Sequence, residues 1–365
     1  MKRYPAFDPP EYLHFKPDPG IVAEFGQLLA RDPERLAIVQ ALPVATLLKL
    51  YDDLLTFRLH DIMLKRWVRQ GVLTKAWLGT GEEAVSVGTV RALAPGDAVG
   101  PMIRNAGVCH LKGMSVADMF RGYLGTADSP TGGRDLHIGD LAKGIITPIS
   151  HVASLLPVCG GIALSFKLRR QALVALTYVG DGATRTAEFH EGMNFAAVQK
   201  LPLIAVIQDN QVALGTALSR HTLPGVLESL HEAYGAIGLE ADGNNVLDVY
   251  AATHLLAARV RAGEGAGCLV AHTFRMGGHA THDEAEARHV LPPEMFERWG
   301  ARDPIGVYEA WLISAGHADE QRLAAIEDEV IARIEAAALA ALASRSRHPD
   351  PATVADGVWA KSPQA

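Results

Sequence analysis

The chain has little cysteine, no surplus of positive charge and no long apolar run, and each absence removes a class of protein. Three cysteines in 365 residues, Cys109, Cys159 and Cys268, are odd in number and far apart. That excludes a disulfide framework and the paired spacing of a zinc site. Cys159 reads as a small core hydrophobe. A formal charge of −7 argues against a general nucleic-acid surface and favours solubility. No run approaches the roughly 18 apolar residues of a membrane span, and the opening MKRYPAFDPPEYLHF lacks the apolar core of a signal peptide. A cytosolic protein with neither nucleic-acid nor membrane partners is expected. No internal repeat is present. With 48% hydrophobic residues, the chain can bury a substantial core in one large α/β domain or two smaller ones.

The most informative stretch is GDGATRTAEFHEGMNFAAVQKLPLIAVIQDN, Gly180 to Asn210. The apolar run Leu173–Val179 feeds a Gly-Asp-Gly turn, a helical stretch follows, and a second apolar run ends at Asp209-Asn210. This predicts strand, turn, helix, strand, with an oxygen ligand just past the carboxyl end of each strand. A right-handed crossover lays such strands parallel, about 4.8 Å apart when adjacent, so Asp181 and Asn210 can reach one small ion. One carboxylate and one amide carbonyl are too few for an all-protein calcium cage but suit Mg²⁺, which keeps positions for water and phosphate. Gly180 and Gly182 let the backbone turn tightly and approach a ligand, and the following helix offers free N–H groups to a phosphate. The alternative is a plain βαβ unit with solvated turn residues.

Residues 1–42 are rich in Pro and charge and read as an extended arm with a short helix. Such arms lie across a partner subunit or stay loosely ordered, and composition leaves both open. The main domain is expected over 43–345 and a Pro-punctuated tail over 346–365. Helical spacing predicts helices over 44–70, 80–94, 153–168, 246–262 and 318–345. Short strands are predicted within 94–102, 236–241 and 268–272. The Gly- and Pro-rich loop 125–148 is long enough to be either functional or disordered. A polar, His-rich, Pro-interrupted stretch covers 279–304. Strands alternating with helices indicate a mostly parallel sheet covered on both faces, a three-layer α/β/α architecture.

Several motifs occur in one order: GEEAVSVG (81–88), RNAGV (104–108), GGRDLHIG (132–139), the GDG-to-Asn unit, and RMGGHATHDE (275–284). From about residue 43 onward the chain resembles the alpha subunit of the decarboxylating component of 2-oxo acid dehydrogenase complexes, of pyruvate or branched-chain type. The resemblance implies a thiamine diphosphate-binding fold, with thiamine diphosphate and Mg²⁺ as cofactors. It implies a beta subunit that completes the active site in an α2β2 heterotetramer, docked on a lipoyl-bearing acyltransferase core. The implied activity is oxidative decarboxylation of a small 2-oxo acid with acyl transfer to a lipoyl disulfide. The NFAA run (194–197) and the C-terminal DPATVAD lean towards branched-chain substrates. Acetoin dehydrogenase shares this machinery, and a degenerate paralogue that only binds its beta partner is a further reading.

By the same resemblance, Asp181, the Asn210 side chain and the Val212 carbonyl would ligate Mg²⁺. Gly180, Gly182 and Ala183 would present backbone to the diphosphate, and Arg104 would pair with its oxygens, a task suited to a fixed, always-charged fork. Ile103 and Gln208 occupy further cofactor-binding positions. Ser150 and the Val152 backbone match positions near the aminopyrimidine. His279 matches the catalytic histidine of a mobile loop, in neutral or charged form, and His137 a second histidine near the channel.

The chain departs from the family pattern in several places. Ile103 replaces an aromatic hydroxyl and Gln208 a basic residue, which predicts weaker diphosphate binding; Asp209 replaces an Asn, and Val212 an aromatic, where the metal contact is backbone and survives. A potassium site would fall near Ile149, Ser154 and Leu155, where ligand types are lost, and is not expected. Ala280 stands where a regulatory phosphoserine would. Blander readings sit beside these roles. Arg104 could be a surface arginine, His137 an ordinary loop residue and Ser150 a helix N-cap. His279, His282, Asp283 and His289 resemble zinc ligands in composition, but a loop His-x-x-His without a fourth ligand is more often solvated.

Overall fold

Strands form where the aliphatic runs are longest. β1 (Ala98–Gly100), β2 (Ala175–Gly180), β3 (Leu203–Asp209), β6 (Ile237–Asp242) and β7 (Gly267–His272) make one parallel sheet in the order β1-β2-β3-β7-β6. β4 (Val212–Ala213) and β5 (Thr216–Ala217) form a small antiparallel hairpin just beyond β3. The computed structural model describes residues 1–356, and the end of the tail, 357–365, lies outside the described residues.

All seven residues of β3 are buried, as a central strand of a sheet covered on both faces requires. Alternate residues serve different cores. Leu176, Tyr178, Ile204 and Val206 join the cluster that includes the helix Val246–Arg261. Ala175, Val179, Leu203, Ala205 and Ile207 join the cluster under the helices Leu155–Leu168 and Ala187–Val198. The period-two alternation of a strand thus generates the three layers. All three cysteines are free and buried, Cys159 and Cys268 in the second cluster, and burial pushes each thiol up to about 12.

The predicted helices form as Val44–Arg69, Glu83–Arg91, Leu155–Leu168, Val246–Arg261 and Glu320–Ala343. The N-terminal segment is more helical than the extended arm with one short helix that was expected. It folds into the helices Pro10–Leu13, Pro19–Ala30 and Pro33–Gln40, with Asp18 and Asp32 capping the last two. It packs on its own chain: Tyr12 is fully buried, Arg3 Nη1 lies 2.5 Å from Asp303 Oδ2, and Glu11 pairs with Arg288 at 2.8 Å. The stretch 279–304 likewise carries helices, Glu284–Ala287 and Pro293–Gly300, followed by Pro304–Ser314. The loop 125–148 is tied down at its start, where Ala127 N donates to Arg347 O (2.8 Å), and Ile145 bridges to Val99. No helix among the described residues is long and apolar enough to cross a membrane.

β2 and β3 are adjacent and in register with Gly180 opposite Gln208, so Asp181 and the Asp209-Asn210 pair emerge side by side at the carboxyl edge. Ligands of open α/β sheets gather at such an edge.

Candidate active site at the carboxyl edge of the sheet

Asp181 opens a 3₁₀ turn, Gly182–Arg185, and its Oδ1 accepts the Gly182 N–H at 2.6 Å. The Ala187–Val198 helix begins only after this turn and is capped by Thr186, so its N-terminus stands one turn further from Asp181 than expected. Asp181 is 1% exposed, and its Oδ2 has no hydrogen-bond partner. Burial, reinforced by the charges of Asp209 and Glu82, pushes its carboxyl up to about 7. Beside it, Gln208 Nε2 and Asn210 Nδ2 both donate to Glu82 Oε1, at 3.0 and 2.8 Å. All three side chains are buried. Gly182 is required here: a Cβ on it would stand 2.3 Å from that of Ala213, in the hairpin that carries Val212. A buried carboxylate oxygen without a donor, among further acidic groups, fits a divalent cation, which would satisfy what burial penalises.

A basic group adjoins the acidic one. Arg104, in the 3₁₀ turn Ile103–Asn105, is 6% exposed and reaches Glu82 Oε2 at 3.4 Å. Its guanidinium also donates to Leu78 O (3.2 Å) and His279 O (3.3 Å), and lies 3.3 Å from His279 Nδ1. Arg104 is therefore no loose surface arginine. Arginine only donates, so His279 Nδ1 must accept and Nε2 carries the ring proton. Burial and the charges of Arg104 and Arg275 push the His279 imidazole down to about 4. Of the two forms considered for it, the neutral one stands at neutral pH. Asp283 holds this loop by accepting from Ala280 N at 2.8 Å and His279 N at 3.2 Å.

Three polar residues of this centre had no role assigned from sequence. Glu82 lies in GEEAVSVG and Arg275 in RMGGHATHDE, so both motifs were visible, but nothing in their spacing told which member faces the site. Arg275 is 3% exposed and donates to Leu214 O at 2.8 Å and Gly277 O at 3.2 Å. His221 is a third: its Nε2 is buried without a partner, 3.9 Å from Asp181 Oδ1. Asp209, where an Asn was expected, is held by His272 Nδ1 (2.9 Å) and Gln211 Nε2 (2.9 Å).

Half-buried His137 and exposed Ser150 form a separate group. His137 Nδ1 contacts Asp135 Oδ1 at 2.8 Å and its Nε2 the Ser150 hydroxyl at 3.3 Å, while Val152 is 61% exposed. None of their hydrogen bonds reaches the Asp181–Glu82–Arg104 group. Ser150 is not a helix cap, since the nearby helix starts after Ser154. The zinc composition is not realised either: among the described residues no three His, Cys, Asp or Glu side chains could hold a metal, and His289 contacts the Ala285 carbonyl instead.

Residues 52–350 match the family model described as dehydrogenase E1 component. The chain is 32% identical over 293 residues to the pyruvate dehydrogenase E1 component subunit alpha of Acholeplasma laidlawii, covering 80% of this chain and 83% of that one. It is 30% identical over 285 residues to the 2-oxoisovalerate dehydrogenase subunit alpha of Bacillus subtilis (strain 168), covering 77% and 85%. It is 30% identical over 292 residues to the 3-methyl-2-oxobutanoate dehydrogenase subunit alpha of Mycobacterium tuberculosis (strain ATCC 25618 / H37Rv), covering 80% and 76%. A sheet edge that sets a buried carboxylate beside an arginine pair is thus carried by a chain that belongs to the dehydrogenase E1 component family, among the alpha subunits of 2-oxo acid dehydrogenases.

Proposed function

We propose that this alpha subunit holds the diphosphate end of thiamine diphosphate, with Mg²⁺, in a 2-oxo acid dehydrogenase that decarboxylates a small, branched-chain 2-oxo acid. The observation that carries this is the unsatisfied Asp181 Oδ2, buried against acidic groups on one side and close to the Arg104, Arg275 and His279 group on the other. A dication bound to a diphosphate answers both sides at once: the cation meets the carboxylate, and the phosphate oxygens meet the guanidinium forks. Asp181, the Asn210 amide oxygen and the Val212 carbonyl hold the cation. Arg104 and Arg275 hold the diphosphate, and Gly182 and Ala183 leave room for its approach. When bound, thiamine diphosphate supplies the electron sink for loss of CO₂ from a 2-oxo acid. His279, neutral with its proton on Nε2, donates a hydrogen bond towards the reacting end. Ser150 and the Val152 backbone lie on an exposed stretch suited to a partner, with half-buried His137 beside them. We assign to that partner, a beta subunit in an α2β2 heterotetramer, the other half of the cofactor, and to a lipoyl-bearing acyltransferase core the disulfide that accepts the acyl group. A cytoplasmic location is part of this proposal.

The branched-chain preference rests on the NFAA and DPATVAD runs and on the 2-oxoisovalerate and 3-methyl-2-oxobutanoate relatives. Steady-state decarboxylation by the co-expressed alpha–beta pair tests it, with pyruvate, 2-oxoisovalerate and acetoin compared. The highest kcat/KM is expected for 2-oxoisovalerate. Turnover of acetoin alone would transfer the chain to acetoin dehydrogenases, and no turnover of any, without cofactor binding, would make it a non-catalytic paralogue.

A further inference from the structure

The GEEAVSVG motif places two glutamates in sequence, and the fold gives them different tasks. Glu83 is spent inside the protein, accepting from Arg58 and from Gly81 N. Glu82 turns to the site. Its Oε1 takes the amide N–H groups of Gln208 and Asn210, and its Oε2 takes Arg104. Three donors from two separate elements, the carboxyl end of β3 and the 3₁₀ turn of Arg104, therefore converge on one buried carboxylate. Its backbone is clamped on one side by Glu83 and on the other by Gly81 (φ +98°), where a Cβ would stand 2.4 Å from the Phe274 carbonyl.

We propose that Glu82 is a positioning residue, which orients the Asn210 amide so that its oxygen faces the cation and holds Arg104 for the diphosphate. The chemistry requires a carboxylate. An ionised carboxylate only accepts, so Asn210 must turn its nitrogen towards Glu82 and its oxygen away from it. A glutamine at 82 cannot do this. Whichever way its amide turned, its NH₂ would meet either the Gln208 and Asn210 amides or the Arg104 guanidinium, donor against donor. The frustration is relieved by rotating Asn210, which points an NH₂ at the cation. A group that orients a metal ligand in this way changes metal affinity by about 10- to 100-fold when removed.

This inference rests on the Mg²⁺ and thiamine diphosphate reading, so the test separates the two. Mn²⁺ is titrated by electron paramagnetic resonance into the alpha–beta pair with saturating thiamine diphosphate, for the wild type, Glu82→Gln, and Glu82→Gln/Asn210→Asp. Thermal unfolding is followed in parallel. The wild type binds tightly. Glu82→Gln keeps its unfolding temperature and loses about tenfold or more in Mn²⁺ affinity. The double variant recovers most of that loss, because a carboxylate at 210 presents oxygen whichever way it turns and accepts from the glutamine. Unchanged affinity in Glu82→Gln, or a loss that the second substitution does not recover, overturns the role of Glu82 and leaves the cofactor reading standing. Should Glu82→Gln fail to fold, Glu82→Asp replaces it: a shorter carboxylate that cannot span amides and arginine together gives a similar loss, and wild-type affinity overturns the role. No Mn²⁺ binding by the wild type itself overturns the cofactor reading and this inference with it.

Discussion

The cost of keeping Asp181 in place leads to a test that needs no cofactor. Its Oδ2 is buried without a donor, and its carboxyl is raised from 3.8 to about 7, first by burial and then by the charges of Asp209 and Glu82. An acid whose pKa is raised by folding binds its proton more tightly in the native state. Its favourable contribution is complete below pH 3.8 and is lost as pH rises through about 7. At about 1.4 kcal/mol per pH step, the gap amounts to roughly 4 kcal/mol, an upper bound on the penalty for the metal-free protein above neutrality. Asp181→Asn removes it: the amide oxygen keeps the Gly182 N–H, and the new NH₂ faces Glu82 and Asp209 as a donor. Urea unfolding of the metal-free protein should find Asp181→Asn more stable than the wild type at pH 8, by about 1–4 kcal/mol. The difference should shrink as pH falls towards 5. Equal stability at pH 8, or a less stable variant, would refute the claim that this carboxylate is strained for want of a cation.

Three further outcomes follow from the same network. Arg58→Ala should destabilise the fold by about 3–5 kcal/mol, because it strands the fully buried Glu83 carboxylate and leaves buried Asp303 with Arg3 as its one remaining arginine. Chemical denaturation should show a smaller loss at pH 5 than at pH 8, since the Glu83 carboxyl, raised by burial to about 7, can then take up a proton. His272 is raised to about 9 by hydrogen bonds to Asp209 and Glu240, so it contributes stability fully present below pH 6.5 and lost through pH 9. Melting curves of His272→Gln should therefore fall below those of the wild type at pH 6 and meet them near pH 10. His279→Ala should leave cofactor affinity within a few-fold and slow acyl transfer to a lipoyl domain about 100-fold, as loss of an oriented hydrogen-bond donor does. Unchanged transfer in a rapid-mixing experiment would remove His279 from the chemistry.

How much of this was legible in the sequence depends on the physical signal each residue emits. The strands at 175–180 and 203–209 were readable because a strand buried on both faces needs an unbroken aliphatic run. Asp181 and Asn210 were readable because they end such runs. Within 1–42 one short helix was expected where Pro10–Leu13, Pro19–Ala30 and Pro33–Gln40 form, and Pro304–Ser314 was missed, although Asp18, Asp32 and Asp303 each precede a proline and cap the helix that follows. Proline was weighed as a mark of extended chain, whereas at the first helical position its fixed φ helps and its missing N–H costs nothing. Glu82 and Arg275 were hidden for another reason. Each lies in a visible motif, but which of two neighbouring side chains faces a site depends on long-range packing, here Glu83 on Arg58 and Gly81 against Phe274. Spacing carries no record of that choice. The His137–Ser150 contact joins residues 13 apart on a loop, which were expected only separately, Ser150 near the aminopyrimidine and His137 near the channel.

Calorimetric titration of thiamine diphosphate with Mg²⁺ into the co-expressed alpha–beta pair, for the wild type and Asp181→Ala, bears most directly on the central claim. Saturable, Mg²⁺-dependent binding in the wild type and none in a folded Asp181→Ala is the predicted result. Equal binding by both, or none by the wild type, would contradict it.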